Sequence, residues 1–437
     1  MLATGLLAQA LQYSAGILLL PLITSHLSSS SVGMWYLFLT VQGLALMIDF
    51  GFQGTFSRSF ALAWAGASNL QKHGVEAEPC EGREPNQQLF ADLVASARRL
   101  YAAASTLAVL LLLTAGWAYV AHMAARDGLA MAPTSAAWVL FVASIGLDIY
   151  FNWISAALIG TGRTEQNFIL LIIVRLGFSA AGAVVLLLGG GIVGLAAAQL
   201  VAILAGRLTG ITFLRPLLKD GATPDRNKTR DMLRLLWPNA GRLGVAAVAG
   251  FLILRANLFV VASFVGLSAA ASYGITLQLL SALLAVGQLP LSFALPQVVK
   301  AYVAGDQTRI WRMTLGMSTF FLLVFVCGTL LLIVAGRPLL DAIGSRVQLL
   351  PAGALVLFSF VLMLEGLHTI SAAVIASGNR VPFMLPSIVS GIGVVTTSAV
   401  AASLGAGIAG VIACQGLVQL AYNNWRWPLM VYRETHR

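Results

Sequence analysis

The stretch MTLGMSTFFLLVFVCGTLLLIVA, residues 313–335, decides the fold, because it contains no charged side chain from end to end. An apolar helix of roughly 20 residues crosses the hydrocarbon core of a bilayer. Comparable runs recur along the whole chain of 437 residues, of which 59% are hydrophobic and only 10% are charged. A soluble domain carries about 25% charged residues. The sequence therefore predicts an all-α, polytopic membrane protein.

The apolar runs predict about twelve transmembrane helices in two six-helix lobes. The predicted helices lie at 2–25, 32–56, 99–122, 135–160, 168–188, 192–214, 238–265, 270–296, 313–335, 351–376, 382–404 and 407–424. The N-terminal lobe is predicted at 1–214, with a polar cytoplasmic insert at 57–98. A cytoplasmic linker at 215–237 leads into the C-terminal lobe at 238–437.

The basic residues predict the orientation of these helices. Of 26 Lys and Arg residues, nineteen fall in one alternate set of loops and tails, three in the opposite set and four inside predicted helices. Loops rich in Lys and Arg stay in the cytoplasm, so both termini are predicted to be cytoplasmic. The anionic inner leaflet attracts such loops, and the net charge of +10 therefore does not require nucleic acid as a partner.

Catalytic and metal-binding patterns are not found in the sequence. The three Cys and five His residues are scattered, without the spacing of a disulfide framework or a metal site. No Walker sequence or GxGxxG motif occurs, and no paired carboxylates mark a loop face. We expect no catalytic residues, no resident metal and no cofactor.

An internal duplication is predicted by two similar helix ends. AALIGTGR at 156–163 ends helix 4, and AAVIASGNR at 372–380 ends helix 10, with an offset of 216 residues. Both segments end helices that run in the same direction, so the two lobes are predicted to be parallel repeats with a cleft between them. Chance similarity in an Ala- and Gly-rich membrane sequence is the alternative.

Amide side chains form stripes within the predicted helices. Gln42 and Gln53 share one predicted face of helix 2 with Asp49, and helix 12 carries Gln415 and Gln419. The other amides of interest are Gln9, Gln12 and Gln278. Stripes of this kind either line a water-accessible cleft, where they solvate sugar hydroxyls, or bind neighbouring helices to one another.

Charges inside predicted helices are costly and are functional candidates. Asp148 and Arg175 lie at comparable depth on neighbouring helices, so they either pair with each other or contact a substrate. Arg255, deep in helix 7 beside Asn257, is the best candidate for an anion contact, because guanidinium binds phosphate oxygens bidentately. Arg242 lies earlier on the same helix, where it either contacts the anion or anchors the helix at the interface.

Carboxylates inside the predicted helices are candidates for ion coupling. Glu365 lies near the middle of helix 10 and is the leading candidate for coupling to H⁺ or Na⁺. A simple ion pair with an intramembrane arginine is the alternative. Asp49 and Asp148 are the other two candidates.

Several segments resemble the Wzx-type polysaccharide flippases of the multidrug/oligosaccharidyl-lipid/polysaccharide exporter (MOP) superfamily. The segments are LPLITSHL at 20–27, VGMW at 32–35, IDFGF at 48–52, Ser57-Arg58, GTGR at 160–163 and LLWP at 235–238. They fall in both halves of the chain and are architectural, so they indicate the family and say little about the substrate. Helix 7 of related proteins often carries a carboxylate near the position of Asn257, where this chain has an amide.

The resemblance implies a MATE-like fold and translocation of undecaprenyl-diphosphate-linked oligosaccharide from the cytoplasmic to the periplasmic leaflet by alternating access. The product would be O-antigen of lipopolysaccharide or another surface polysaccharide, made at the bacterial inner membrane. A polysaccharide polymerase and a chain-length regulator are the expected protein partners. The diphosphate would contact Arg58, Arg175, Arg242 and Arg255, and the glycan would contact Gln9, Gln12, Gln42, Gln53, Gln278 and Asn257.

Two other functions remain open from the sequence. A drug or cation antiporter of the same superfamily would favour an acidic or aromatic cavity, whereas the predicted helices hold four Arg against three carboxylates. A membrane polysaccharide polymerase or glycosyltransferase would need a sizeable exported loop or a sugar-nucleotide domain. Neither is found, so the balance favours transport of an anionic cargo.

Overall fold

Helices are the only regular elements in the part of the chain that the computed structural model describes, namely residues 16–49, 51–68, 84–218, 244–245 and 247–436. The N-terminal helices run α1 Gly16–His26, α2 Ser29–Leu46, α3 Phe52–Trp64, α4 Gln87–Leu111, α5 Trp117–Arg126, α6 Met131–Tyr150, α7 Asn152–Gly160, α8 Thr164–Leu187 and α9 Gly191–Leu214. The C-terminal helices run α10 247–254, α11 Asn257–Phe264, α12 Leu267–Gly287, α13 Leu289–Ala304, α14 Gln307–Ala342, α15 Ala352–Ser377, α16 Met384–Ser403, α17 Gly407–Ala421 and α18 Asn423–Thr435.

Ten helical stretches among the described residues are long and apolar enough to cross a membrane. The two remaining predicted spans correspond to the shorter helices α1 and α17. Leucines and valines stay exposed along these helices, with Leu187 at 64% and Val334 at 74%, as lipid-facing side chains do. The prediction of an all-α polytopic membrane protein is confirmed.

The helices group into two compact units. Unit 1 comprises the described residues of Met1–Leu19 and Val41–Ala247, and unit 2 those of Leu20–Thr40 and Val248–Arg437. The segment Leu20–Thr40 was assigned by the sequence to the N-terminal lobe at 1–214, but it packs within unit 2.

A missing side chain explains where the segment Leu20–Thr40 packs. A Cβ on Gly33 would collide with the backbone carbonyl of Leu267, so only glycine lets α2 lie against the start of α12. Further along the same contact, the hydroxyl of Tyr36 donates a hydrogen bond to Gln278 Oε1. Close backbone contact of this kind is how membrane helices associate without a hydrophobic driving force.

Helix 2, predicted as one helix at 32–56, is broken in the structure. A 3₁₀ turn at Met47–Asp49 ends α2, and Gly51, with φ of 74°, starts α3 from the left-handed region. The turn rotates α3 relative to α2. The prediction that Gln42, Asp49 and Gln53 share one continuous helical face is therefore wrong.

Short breaks also divide four other predicted helices. Phe151 separates α6 from α7, the turn at Arg255 separates α10 from α11, Gln288 separates α12 from α13, and Tyr422 separates α17 from α18. Polar or aromatic residues mark these points. Broken helices at membrane depth are tolerated where protein or a water-lined cavity satisfies the freed backbone groups.

Candidate functional site

A carboxylate lies buried in unit 2 with an amide as its donor. Glu365 on α15 is only 6% exposed, and Gln419 Nε2 on α17 donates a 2.6 Å hydrogen bond to Glu365 Oε1. Helices α15 and α17 pack against each other, which brings the two side chains together. Among the described residues, no Lys or Arg forms an ion pair with Glu365.

The one basic group beside Glu365 in the described part of the chain is a histidine. His368 Nδ1 lies 3.8 Å from Glu365 Oε2, one helical turn along α15. The His368 side chain is buried and its Nδ1 has no hydrogen-bond partner. The histidine carries a charge only when protonated, so Glu365 lacks the permanent counter-charge that buried carboxylates normally have.

Further amides extend this arrangement across α17 and α18. Asn423 Nδ2 donates to Gln419 Oε1 at 2.9 Å and to Ser390 Oγ at 2.8 Å, while the indole of Trp427 donates to Asn423 Oδ1 at 3.3 Å. Gln419 and Asn423 are completely buried. The hydrogen bonds hold the Gln419 amide in the orientation that points its donor at Glu365.

A second branch reaches α11. Asn257 Nδ2 donates to Gln415 Oε1 at 2.9 Å, and both residues are fully buried. Asn257 Oδ1, Gln415 Nε2 and the Tyr273 hydroxyl nearby remain without hydrogen-bond partners. Spare polar atoms in a buried site usually mark a place for a water molecule or an ion.

These side chains form one buried cluster, which we call the polar layer of unit 2. Its members are Asn257, Glu365, His368, Gln415, Gln419 and Asn423. Because Gln415 and Gln419 lie one turn apart on α17, they join the Asn257 branch to the Glu365 branch. The polar layer combines a carboxylate, neutral amide donors and unsatisfied oxygen atoms, which is the chemistry that accepts a proton or a small hard cation.

Unit 1 has a different arrangement around its carboxylates. Arg207 Nη2 on α9 lies 2.6 Å from Asp148 Oδ1 on α6, and Arg207 Nη1 donates to Ser155 Oγ at 3.2 Å. The sequence predicted Arg175 as the partner of Asp148. Arg175, on α8, acts on Asp148 electrostatically, but Arg207 holds the direct ion pair.

Asp49 is held in place by neutral donors. The hydroxyl of Tyr101 on α4 donates to Asp49 Oδ1, and the backbone N–H of Gln53 donates to Asp49 Oδ2 at 3.3 Å. The Asn152 side chain is a further hydrogen-bonding neighbour. Asp49 therefore caps the first turn of α3, which gives it a structural task at the break after α2.

The other predicted site residues are scattered over the two units. Arg255 is exposed at the turn between α10 and α11, and Arg58 is exposed on α3. Gln42 and Gln53 are half-buried in unit 1, and Gln278 accepts the Tyr36 hydroxyl in unit 2. Gln9, Gln12 and Arg242 lie outside the described residues.

Sequence reasoning missed His368 and Tyr101. His368 stands three residues after Glu365, so helical spacing would have placed the two side chains together. No comparable signal connects Tyr101 to Asp49, because the two residues are far apart in the chain and meet only through packing.

Comparison with known proteins identifies the fold. No protein-family model and no curated protein matches the sequence. Among solved structures, an inward-facing multidrug resistance MATE family transporter of the MOP superfamily is similar, with a TM-score of 0.70 at 14% identity, covering 97% of this chain and 96% of that one. The outward-facing conformation of such a transporter has a TM-score of 0.54 at 14% identity, covering 99% and 94%.

A third solved structure comes from Pyrococcus furiosus. It is described as a MOP superfamily transporter whose reverse polarity of the binding pocket suggests a different function, and it has a TM-score of 0.59 at 14% identity, covering 99% of this chain and 95% of that one. The chain therefore has the fold of the MATE transporters of the MOP superfamily. These structural neighbours are transporters and not enzymes, and the fold is one that moves substrates across membranes.

Proposed function

We propose that this protein is a flippase for lipid-linked oligosaccharide in the bacterial inner membrane, with both termini in the cytoplasm. Its cargo is undecaprenyl diphosphate carrying a glycan for O-antigen or another surface polysaccharide, moved from the cytoplasmic to the periplasmic leaflet. Influx of H⁺ or Na⁺ through the Glu365 site drives the movement. A polysaccharide polymerase and a chain-length regulator would act on the exported product.

The observation that carries the proposal is the environment of Glu365. A buried carboxylate without a Lys or Arg partner in the described structure is costly unless a proton or a cation neutralises it. A carrier needs such a site, because the bound ion must leave again in each cycle. A permanent ion pair at this position would have argued against coupling.

Charge and resemblance support an anionic cargo. The Wzx-like segments lie in both halves of the chain. Arg255 is exposed at a helix break in unit 2, where its guanidinium is accessible to a diphosphate. For the P. furiosus protein, a different function is suggested by pocket polarity, so this fold is not tied to drug export.

The competing function is drug or cation export. It is favoured by the printed descriptions of similar structures, which are of multidrug resistance transporters. The two functions differ in the sign of the cargo. Arginine contacts suit a diphosphate and repel a lipophilic cation.

A complementation experiment tests the proposed cargo. In a strain that lacks its own flippase, we expect the wild-type chain to restore surface polysaccharide and Arg255→Ala to reduce it at least tenfold at matched expression. Arg255→Lys keeps the charge but loses the bidentate geometry, so we expect partial restoration. Wild-type polysaccharide in the Ala variant would remove Arg255 from the mechanism, and drug resistance without polysaccharide would favour the antiporter.

A further inference from the structure

The repeat that relates the two units extends well beyond the helix ends that reveal it. LGGGIVG at 188–194 matches LGAGIAG at 404–410 with the same offset of 216 residues. The turns share their backbone too, since Gly189 and Gly405 have φ of 76° and 82°, and Gly191 and Gly407 have φ of 58° and 61°. Position and conformation therefore agree, which chance similarity does not explain.

This register aligns the polar residues of the two repeats. Gln199 on α9 matches Gln415 on α17, and Ser155 matches Ser371. The carboxylates Asp148 and Glu365 lie within one residue of the same register, each on the fourth helix of its half. Each unit thus places a carboxylate beside the equivalent sixth helix.

The two repeats differ in what neutralises the carboxylate. The register places Arg207 of unit 1 opposite Asn423 of unit 2. Arg207 binds Asp148 directly at 2.6 Å, whereas Asn423 orients Gln419, which donates a neutral hydrogen bond to Glu365. The same place in the fold therefore holds a guanidinium in one repeat and an amide in the other.

We propose that Arg207 is a tethered counter-cation, which fills in unit 1 the place that a mobile coupling cation takes in unit 2. The chain consequently couples transport through one repeat and not through both. This inference rests on the proposed ion coupling at Glu365 and adds the reason why Asp148 takes no part in it. A carboxylate that loses its internal cation must take up a proton or an external cation instead.

Other charged groups face the two sites unequally. Arg175 on α8 acts on Asp148, and Arg207 also acts on Tyr101, which binds Asp49. In unit 2 the charged neighbour of Glu365 in the described structure is His368, on the same helix. Arg175 is thus the one residue that can compensate for a missing Arg207.

The test counts cations bound by the purified full-length protein in detergent. Radioactive sodium binding measures Na⁺, and infrared difference spectra across a pH titration count buried carboxyl groups that take up H⁺. We expect one site in the wild type and two in Arg207→Asn, which copies the residue of unit 2. Arg207→Lys keeps a tethered cation and should retain one site.

Two further variants locate the second site. Asp148→Asn combined with Arg207→Asn should return the count to one. Sodium or acid should also raise the Tm of Arg207→Asn more than that of the wild type, because an added bound ion stabilises the folded state. This readout works even if the variant is less stable.

The inference is overturned if folded Arg207→Asn, and also Arg175→Gln combined with Arg207→Asn, still bind as many cations as the wild type. Failure of the proposed coupling gives a different result. In that case the wild type binds no cation, or Glu365→Gln binds as many as the wild type. A gain that depends on Asp148 in Arg207→Asn would still support the tethered cation.

Discussion

At the scale of single residues, neighbours decide what an intramembrane carboxylate does. Asp148 has a guanidinium at 2.6 Å, Asp49 has a tyrosine hydroxyl and a backbone N–H, and Glu365 has an amide and a neutral histidine nitrogen. The first carboxylate is neutralised permanently and the second caps a helix. Only Glu365 needs an ion that can come and go.

Glu365→Gln tests this distinction by ligand-dependent stability. Sodium at about 100 times its Kd should stabilise the wild type by about 2.7 kcal/mol, or acid should do so if the ion is a proton. The Gln variant still offers an oxygen to Gln419, so it should fold and lose the ion-dependent rise in Tm. An unchanged rise would place the ion elsewhere, and His368→Gln is the matched control that leaves the carboxylate in place.

Arg207→Ala should destabilise unit 1. Removing one partner of a largely buried ion pair leaves its carboxylate uncompensated, at a cost on the order of 3 kcal/mol. Asp148→Asn combined with Arg207→Ala removes both charges and should recover much of that loss. Thermal unfolding in detergent measures both variants, and equal stability of Arg207→Ala and the wild type would show that the pair is not structural.

Depth along the helices was predictable from the sequence, but rotation was not. Counting residues placed Asp148 near Arg175, and the structure confirms that the two interact electrostatically. Arg207 reaches Asp148 because α9 packs against α6 with its polar face inward. A single apolar sequence does not encode which helix faces which neighbour, so the direct partner was missed.

At the scale of the helices, glycines set how closely the elements approach. Gly33 lets α2 contact the Leu267 carbonyl, and Gly366 on α15 leaves room for the Phe321 ring of α14. Helix breaks were the least predictable feature. Gly51 with positive φ terminates a run that is apolar enough to continue as a helix, so hydropathy alone predicted one helix at 32–56.

Gly33→Ala should destabilise the packing of α2 in unit 2. The new methyl group would meet backbone, which cannot rotate away, so we expect a loss of about 1–3 kcal/mol or more. Gly316→Ala, where a Cβ meets nothing within 4 Å, is the matched control and should be neutral or slightly stabilising. Equal Tm values for the two variants would contradict the close contact between α2 and α12.

The C-terminal helix α18 is fixed to the loop after α15 by an ion pair. Arg380 Nη1 and Nη2 lie 2.9 Å and 2.6 Å from the two carboxylate oxygens of Glu434, a bidentate arrangement. The Glu434 carboxylate raises the pKa of Arg380 above its ordinary value. Stability from a raised pKa is present below the unfolded pKa and is lost only as pH rises through the folded one. Its loss is therefore confined to strongly alkaline solution.

Arg380→Ala should have a small effect, because the Arg380 side chain is 47% exposed. Exposed pairs contribute about 0.2–1 kcal/mol and are screened by salt. We expect a loss in that range at low ionic strength that disappears in concentrated salt. Arg433→Ala removes the same charge from α18 as a control, and a salt-independent loss in Arg380→Ala would point to packing instead.

At the scale of the whole molecule, an old duplication supports two different tasks. Each unit keeps the same glycine turn and the same carboxylate between its fourth and sixth helices. Unit 1 closes its site with arginine, whereas unit 2 leaves its site to an exchangeable ion. The polytopic fold and the repeat followed from hydropathy and one pair of motifs, but the asymmetry required side-chain positions.

Transport in reconstituted vesicles tests the central claim most directly. Purified protein in proteoliposomes is given a fluorescent undecaprenyl-diphosphate oligosaccharide, and its translocation is followed under an inward H⁺ or Na⁺ gradient. We predict that one of the two gradients accelerates translocation by the wild type and not by Glu365→Gln, while Arg255→Ala slows it under all conditions. Translocation by the wild type that ignores both gradients, or export of a lipophilic cation in place of the glycolipid, would contradict the account.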